Sequence, residues 1–285
     1  MENNAKTGCI VQARTTSTRL PGKVLKTLDY KTGTTILEEV IRRLKLSGRI
    51  DEIVIATTVN DADDEIVAMA EENQVQYFRG SEEDVLSRYF FAAKEYEMDH
   101  IIRVTSDCPF IDPYVIDDLA ELYFSGGYDY VSNGQHRTYP HGLDCEICSA
   151  AALEKAFREG QDRFYREHVT TYIYHHPDLF SLGSLELTDE DYSDIRITVD
   201  TMQDYVLACV IRDGLTEDEI SFRNILKLYQ QKPFLRMING DVLQKKRYET
   251  IDDELEAAAV LLRLQEMNQA ADIVDRERKC LNTQK

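Results

Sequence analysis

The chain has 285 residues, 43% of them hydrophobic, and its 52 acidic against 33 basic residues give a formal net charge of -19 and a pI near 4.7. That length and apolar content suffice for one large core, or a main domain with a smaller appendage, and exclude a disordered chain. So acidic a surface disfavours nonspecific binding to nucleic acid or to an anionic membrane. With no signal-like start and no run of about 18 apolar residues, a soluble cytoplasmic protein is expected.

In chain order, "GCIVQA" reads as a first strand, followed by a loop over 14–23 and a helix through "TILEEVIRRLKL", where Ile36, Val40, Ile41 and Leu44 recur at helical spacing. The β-branched run "DEIVIATT" predicts a second strand. "DADDEIVAMAEEN" predicts a helix whose first-turn acids suit the helix dipole, and "VQYFRG" a short strand. A helix at "EEDVLSRYFFAAKEY", a strand at "HIIRVTS", a helix at "PYVIDDLAELYF" and a strand at "YDYVSN" complete the series. This βαβα rhythm over the first 130 residues implies an α/β fold with a mostly parallel sheet flanked by helices.

The middle of the chain changes character. "GLDCEICS" and "FSLGSLELT" predict strands around the helical stretches "SAAALEKAFREG" and "RFYREHVTTYIYHH", so a small inserted or edge subdomain is expected over about 135–190. "IRITVD" predicts a further strand and "MQDYVLACVIRDG" the helix after it. The run "TIDDELEAAAVLLRLQEMNQAADIVDRERK" predicts one long amphipathic helix, with Leu255, Ala259, Leu262 and Met267 roughly in line. The expected division is a main domain over 1–235 and a helical extension over 236–285.

The six cysteines are scattered, which argues for reduced thiols. Cys145-x-x-Cys148 has no second CxxC and no paired histidines, and it lies in a strand-like run, so zinc or redox chemistry is disfavoured.

In an open α/β sheet, ligands gather beyond the carboxyl ends of the strands. The first such loop, "ARTTSTRLPGKVL", is neither a GxGxxG nor a GxxxxGK[ST] fingerprint. Yet between Asn3 and Leu28 there are five Lys or Arg and no Asp or Glu. Arg14, Arg19 and Lys23 surround Thr15, Thr16, Ser17 and Thr18, a mixture of cations and hydroxyls that can hold phosphate oxygens. A solvated basic loop is the alternative. A second loop, "RVTSDCPFIDP", puts Asp107 just past a strand, and a third, "ITVDTMQDY", ends a strand at Asp200 with Asp204 one helical turn on. A lone aspartate at such a place is commonly a helix N-cap. Two of them facing a basic loop would suit Mg2+, which joins one or two carboxylates to substrate phosphates.

"ARTTSTRLPGKVL", "FRGSEEDVLSRY", "RVTSDCPFIDP", "HGLDCEI", "REHVT" and "ITVDTMQDY", in this order from about residue 8 to residue 210, resemble the cytidylyltransferases of the spore-coat polysaccharide biosynthesis type. These are relatives of the acylneuraminate and KDO cytidylyltransferases. The resemblance implies the three-layer α/β/α nucleotide-diphospho-sugar transferase (glycosyltransferase A-like) fold. It implies Mg2+-dependent transfer of CMP from CTP to an anionic small-molecule acceptor, an acidic sugar or a phosphorylated or phosphonate metabolite. Pyrophosphate leaves, and the product serves surface polysaccharide or glycoconjugate biosynthesis.

By motif, Arg14 and Lys23 would hold the triphosphate with Arg19 beside them, and Ala13, Thr15 and Ser17 would complete the loop. Arg79 and Gly80 match the segment that borders the base, and Ser106 precedes the metal-site Asp107, whose partner is Asp200. His141, Asp144, Glu146, Arg166 and His168 are the acceptor-side candidates, and a homodimer is the assembly implied. Two departures touch loop geometry: many members have Gly at the place of Ser106 and Pro at that of Met202. A transferase using another NTP, or a noncatalytic nucleotide- or sugar-binding protein on the same fold, stays open.

Overall fold

The computed structural model describes residues 5–242 and 250–283. Residues 1–242 form one compact unit and 243–285 a second.

The first unit is built on a seven-stranded sheet of β1 (Thr7–Gln12), β2 (Glu52–Thr58), β3 (Gln76–Gly80), β4 (His100–Thr105), β5 (Tyr130–Ser132), β6 (Glu146–Ser149) and β7 (Leu182–Ser184), in the order β3-β2-β1-β4-β6-β5-β7. The pairs β3/β2, β2/β1 and β1/β4 are parallel, as the βαβ rhythm demands. β6 then runs antiparallel between β4 and β5, and β7 pairs parallel with β5 at the edge. The segment 135–190 thus contributes two strands to the main sheet. Because β6 is reversed, its first residue, Glu146, lies at the same sheet edge as the carboxyl ends of β4 and β5.

Alternation along each strand sorts the core into two layers. Cys9 and Val11, Ile53 and Ile55, and Ile102 and Val104 pack with α1 (Ile36–Leu44), α2 (Asp64–Glu72), α4 (Pro113–Gly126) and α8 (Met202–Gly214). Ile10, Val54 and Ile101 pack with α3 (Val85–Glu95), α5 (Ala150–Glu159) and α7 (Thr171–Tyr174). The result is an α/β/α sandwich. Local chemistry fixes the helix starts: Thr35 with Glu38 and Thr201 with Asp204 form capping boxes, and Asp112 caps α4 ahead of Pro113. α9 (Phe222–Gln231) and the short α10 (Leu235–Ile238) continue the first layer.

Three expectations are corrected. "IRITVD" is extended but makes one isolated bridge, His141 to Arg196, because its partner changes: Ile197 N donates to His141 O and Val199 N to Asp107 O. "RFYREHVTTYIYHH" is two helices, α6 (Arg163–His168) and α7, broken at Val169, whose φ is 58°. The long C-terminal helix is a pair, α11 (Ile251–Leu264) and α12 (Asn268–Thr283), interrupted where Glu266 takes φ 59°. Among the described residues no helix is long and apolar enough to cross a membrane.

Candidate active site

The basic loop leaves β1 and is closed on itself. Gly22 N donates to Thr15 O at 2.9 Å, and Gly22 holds φ 64°, a left-handed turn that glycine takes without a Cβ penalty. Leu20, 4% exposed, plugs the loop into the core, and a 3-10 turn at Lys23–Leu25 follows. Lys23 therefore does not wave in solvent. Its side chain is 10% exposed, and Nζ lies 2.8 Å from Asp107 Oδ2 and 2.8 Å from Asp200 Oδ1.

Each aspartate is held by its second oxygen. Asp107 Oδ1 accepts from Thr105 Oγ1 at 2.6 Å. Asp200 Oδ2 accepts from Arg196 Nη2 at 2.7 Å and pairs with Arg19 Nη2 at 3.0 Å. The backbone joins the two carboxylates as well, since Asp107 O accepts from Val199 N at 2.8 Å and from Thr198 Oγ1 at 3.1 Å. Burial works against ionising Asp200, but the Lys23, Arg196 and Arg19 cations outweigh it and hold the carboxyl at about 2. Lys23 is moved the other way: burial would lower it, and the two carboxylates raise it above its ordinary value.

Arg14 is elsewhere. It is half exposed and pairs with Glu82 at 3.3 Å, on the β3 side of the loop, and Glu82 also accepts from Thr16 Oγ1 and Asn60 Nδ2. Thr15 is clamped by buried Asp63, which accepts from its N at 2.8 Å and its Oγ1 at 2.7 Å. Ala13 N donates to Ala56 O at 3.1 Å, Ser17 is half-buried, and Ser106 is buried with its N on Gln12 O at 3.4 Å. Arg79 is spent on the β2 to α2 turn, on Thr58 O, Asn60 O and Asp64. At Gly80 a Cβ would stand 2.8 Å from Arg88 Cγ, so the arginine stem passes under it.

On the far side of β4 a cavity of about 290 Å³ is lined in part by Tyr130, Ser132, Asn133, Arg137, Asp144 and Glu146. Asp144 pairs with Arg137 and accepts from Gly142 N at 2.8 Å. Glu146 pairs with Arg103 at 2.8 Å and accepts from Thr170 Oγ1. The other acceptor-side candidates stand off this cavity's lining. His141 is bridged to Arg196, and burial together with the Arg137 and Arg196 cations lowers its pKa. Arg166 ties Asp84 to Phe157 O and lies 4.7 Å over the Phe157 ring, while the His168 ring packs 4.6 Å from Phe164. Cys145 and Cys148 are buried thiols, both pushed up by burial.

Sequence reading passed over Asp63, Glu82, Arg103, Arg196 and Asn239. Arg196 was hidden inside a strand-like run. Asn239 lies beyond the motifs, yet its Nδ2 donates to Asp204 Oδ1 at 2.8 Å and to Arg196 O at 3.0 Å.

The donor set at Asp107 and Asp200 suits a hard divalent cation: two carboxylates each turn one oxygen to the same point, where a positive charge already sits. Among the described residues no group of three or more His, Cys, Asp or Glu could hold a metal alone. Mg2+ keeps waters and takes phosphate oxygens, so two carboxylates are a fitting protein share.

The mostly parallel α/β/α sandwich, with a basic loop and two aspartates gathered at one end of its sheet, has the fold of the nucleotidyltransferases. Residues 8–246 match the cytidylyltransferase family, and the chain belongs to it. An uncharacterised protein of Methanocaldococcus jannaschii is 38% identical over 237 residues, covering 83% of this chain and 95% of that one. The spore coat polysaccharide biosynthesis protein SpsF of Bacillus subtilis is 33% identical over 233 residues, 79% of this chain and 94% of its own. The structure of a cytidylyltransferase from Leptospira borgpetersenii superposes with a TM-score of 0.77 at 31% identity, over 86% of this chain and all of that one.

Proposed function

We propose that the protein transfers CMP from CTP to an anionic small-molecule acceptor, with release of pyrophosphate, in the biosynthesis of a surface polysaccharide or glycoconjugate. The observation that carries this reading is the Lys23 ammonium between Asp107 and Asp200 beneath the basic loop. Family membership supports the use of CTP, and the likeness to SpsF supports a place in polysaccharide synthesis.

In the proposed reaction an ionised acceptor oxygen bonds to the α-phosphorus while the bond to the β-phosphate oxygen breaks, and pyrophosphate leaves with the electron pair. Negative charge grows on the phosphoryl oxygens, so preorganised cations are the main requirement. Lys23 and Arg19 supply them at the two aspartates and Arg14 from the Glu82 side of the loop, with the Ser17 hydroxyl alongside. Asp107 and Asp200 would hold Mg2+, which supplies charge neutralisation and polarisation of phosphate oxygens when bound. An acceptor already ionised needs no general base. The cavity beside Asp144 and Glu146 is the proposed acceptor side, where both carboxylates are already matched by arginines and so can accept hydroxyl donors without a bare buried charge.

The test is pyrophosphate release from CTP, UTP, ATP and GTP with Mg2+ across a panel of acidic sugars, sugar phosphates and phosphonates. CTP with one acceptor class is the expected pair. Asp107→Ala and Asp200→Ala should each lower that turnover by roughly 100-fold or more, with circular dichroism unchanged. Near-normal turnover in either variant removes that aspartate from the site. CTP binding without pyrophosphate from any acceptor would favour a noncatalytic nucleotide-binding protein.

A further inference from the structure

We infer that the Lys23 ammonium and a divalent cation compete for one position between Asp107 and Asp200, so that metal and nucleotide bind with positive coupling. The inference rests on the metal site proposed above and adds to it a rule for how that site fills.

Each carboxylate divides its oxygens in the same way. One oxygen is pinned by the protein: Asp107 Oδ1 by Thr105 Oγ1 at 2.6 Å, Asp200 Oδ2 by Arg196 at 2.7 Å and Arg19 at 3.0 Å. The other oxygen of each turns to a shared point, and Lys23 Nζ fills that point at 2.8 Å from both. Lys23 is 8% exposed and rises from a 3-10 turn whose loop is closed by Gly22 N on Thr15 O. A cation arriving alone must therefore evict a buried ammonium and leave it with no anion, which is costly in a desolvated site. A triphosphate changes that balance, because its oxygens give Lys23 a new anionic partner at the moment the metal takes the carboxylates. Every charge stays matched through the exchange. By linkage, whatever factor the nucleotide adds to metal affinity the metal adds to nucleotide affinity.

The experiment measures binding of Mn2+ alone, by the electron paramagnetic resonance of the free ion, to the full chain carrying Lys23→Met or Lys23→Gln. Both variants remove the competing charge and should bind Mn2+ about tenfold tighter than the unaltered protein, the usual order for coupled sites. Adding Asp107→Asn to either should abolish the gain. Mn2+ should also raise the melting temperature of the Lys23 variants more than that of the unaltered chain. An affinity equal to or weaker than that of the unaltered chain, in whichever Lys23 variant folds, overturns the inference, as does a gain that survives Asp107→Asn. The two readings fail separately: pyrophosphate release with no gain in Mn2+ affinity keeps the transferase and loses the competition. A gain erased by Asp107→Asn with no transfer to any acceptor keeps the shared cation position and loses the reaction.

Discussion

Asp204 is 2% exposed and accepts hydrogen bonds from Arg196 Nε and Nη2, Asn239 Nδ2, Thr201 Oγ1 and the backbone N of Asp200 and Thr201. Burial opposes its ionisation, and Arg196 and Asn239 outweigh that and lower its pKa. It fixes the guanidinium that grips the Asp200 carboxylate and also accepts from Asp200 N at 3.1 Å, and so positions that residue through both its side chain and its backbone. Asp204→Ala strands Arg196 without its buried partner and should cost about 3 kcal/mol of stability, read from denaturant unfolding. Asp204→Asn keeps the shape, and its expected effect is a fall in turnover larger than any loss of nucleotide affinity. On the β2 side, burial raises Asp63 while bonds from Thr58 and Thr15 lower it further, for a net depression. A carboxylate depressed in the folded state stabilises above its unfolded pKa near 4 and loses that contribution as pH falls below it. The melting temperature should accordingly drop on acidification below about pH 4, and Asp63→Asn should flatten that part of the profile. Such roles are hard to read in sequence. In sequence Asp63 is one of the first-turn acids suited to a helix dipole and Asp204 an aspartate one helical turn past Asp200, because only the folded chain brings Thr15 and Arg196 to them. Lys23 and Asp107 were legible because their loops follow β1 and β4, and Asp200 because it ends a strand-like run, the places where such a sheet collects ligand groups.

At the scale of elements, the piece that joins the two aspartates is the extended run 195–199. It is steered by the loop before it: His141 N donates to Ile195 O, and Gly142 sits at φ 106° with Thr198 N only 2.5 Å from where a Cβ would stand. Gly142→Ala must push that run away and adopt a strained backbone, at about 1–3 kcal/mol. Asp200 should then lose its register with Asp107, and pyrophosphate release should fall more than the melting temperature explains. The regular elements here were legible from apolar pattern: a continuous β-branched run marked β2, and 3.6-residue spacing of Ile36, Val40, Ile41 and Leu44 marked α1. The breaks were not. Val169 and Glu266 take positive φ without being Gly or Asn, so no residue type announces the end of the helix before each of them. Likewise, nothing in "IRITVD" says that its hydrogen bonds are shared between two different neighbours.

For the molecule as a whole, the family match ends at residue 246, close to the boundary at 242 between the two compact units. The first unit carries its own two-layer core and all the site residues described above. A chain ending at Val242 should therefore keep cooperative unfolding, with a melting temperature within about 4 °C of the full protein, and keep its affinity for CTP. A loss of folding on this cut would show that residues 243–285 belong to the core of the fold.

The basic loop that stood out against a net charge of -19 is, in the folded chain, already matched: Arg14 by Glu82, Arg19 by Asp200, and Lys23 by both aspartates. Its consequence lies in kinetics and selectivity. A loop so neutralised projects little long-range field, so the rate of nucleotide association should depend only weakly on ionic strength. Under the proposed reaction, orthophosphate or sulfate should break one such pair but not all three, whereas a chain of three phosphates should replace them all, so the acids that quiet the loop would act as a filter for a triphosphate over simpler anions.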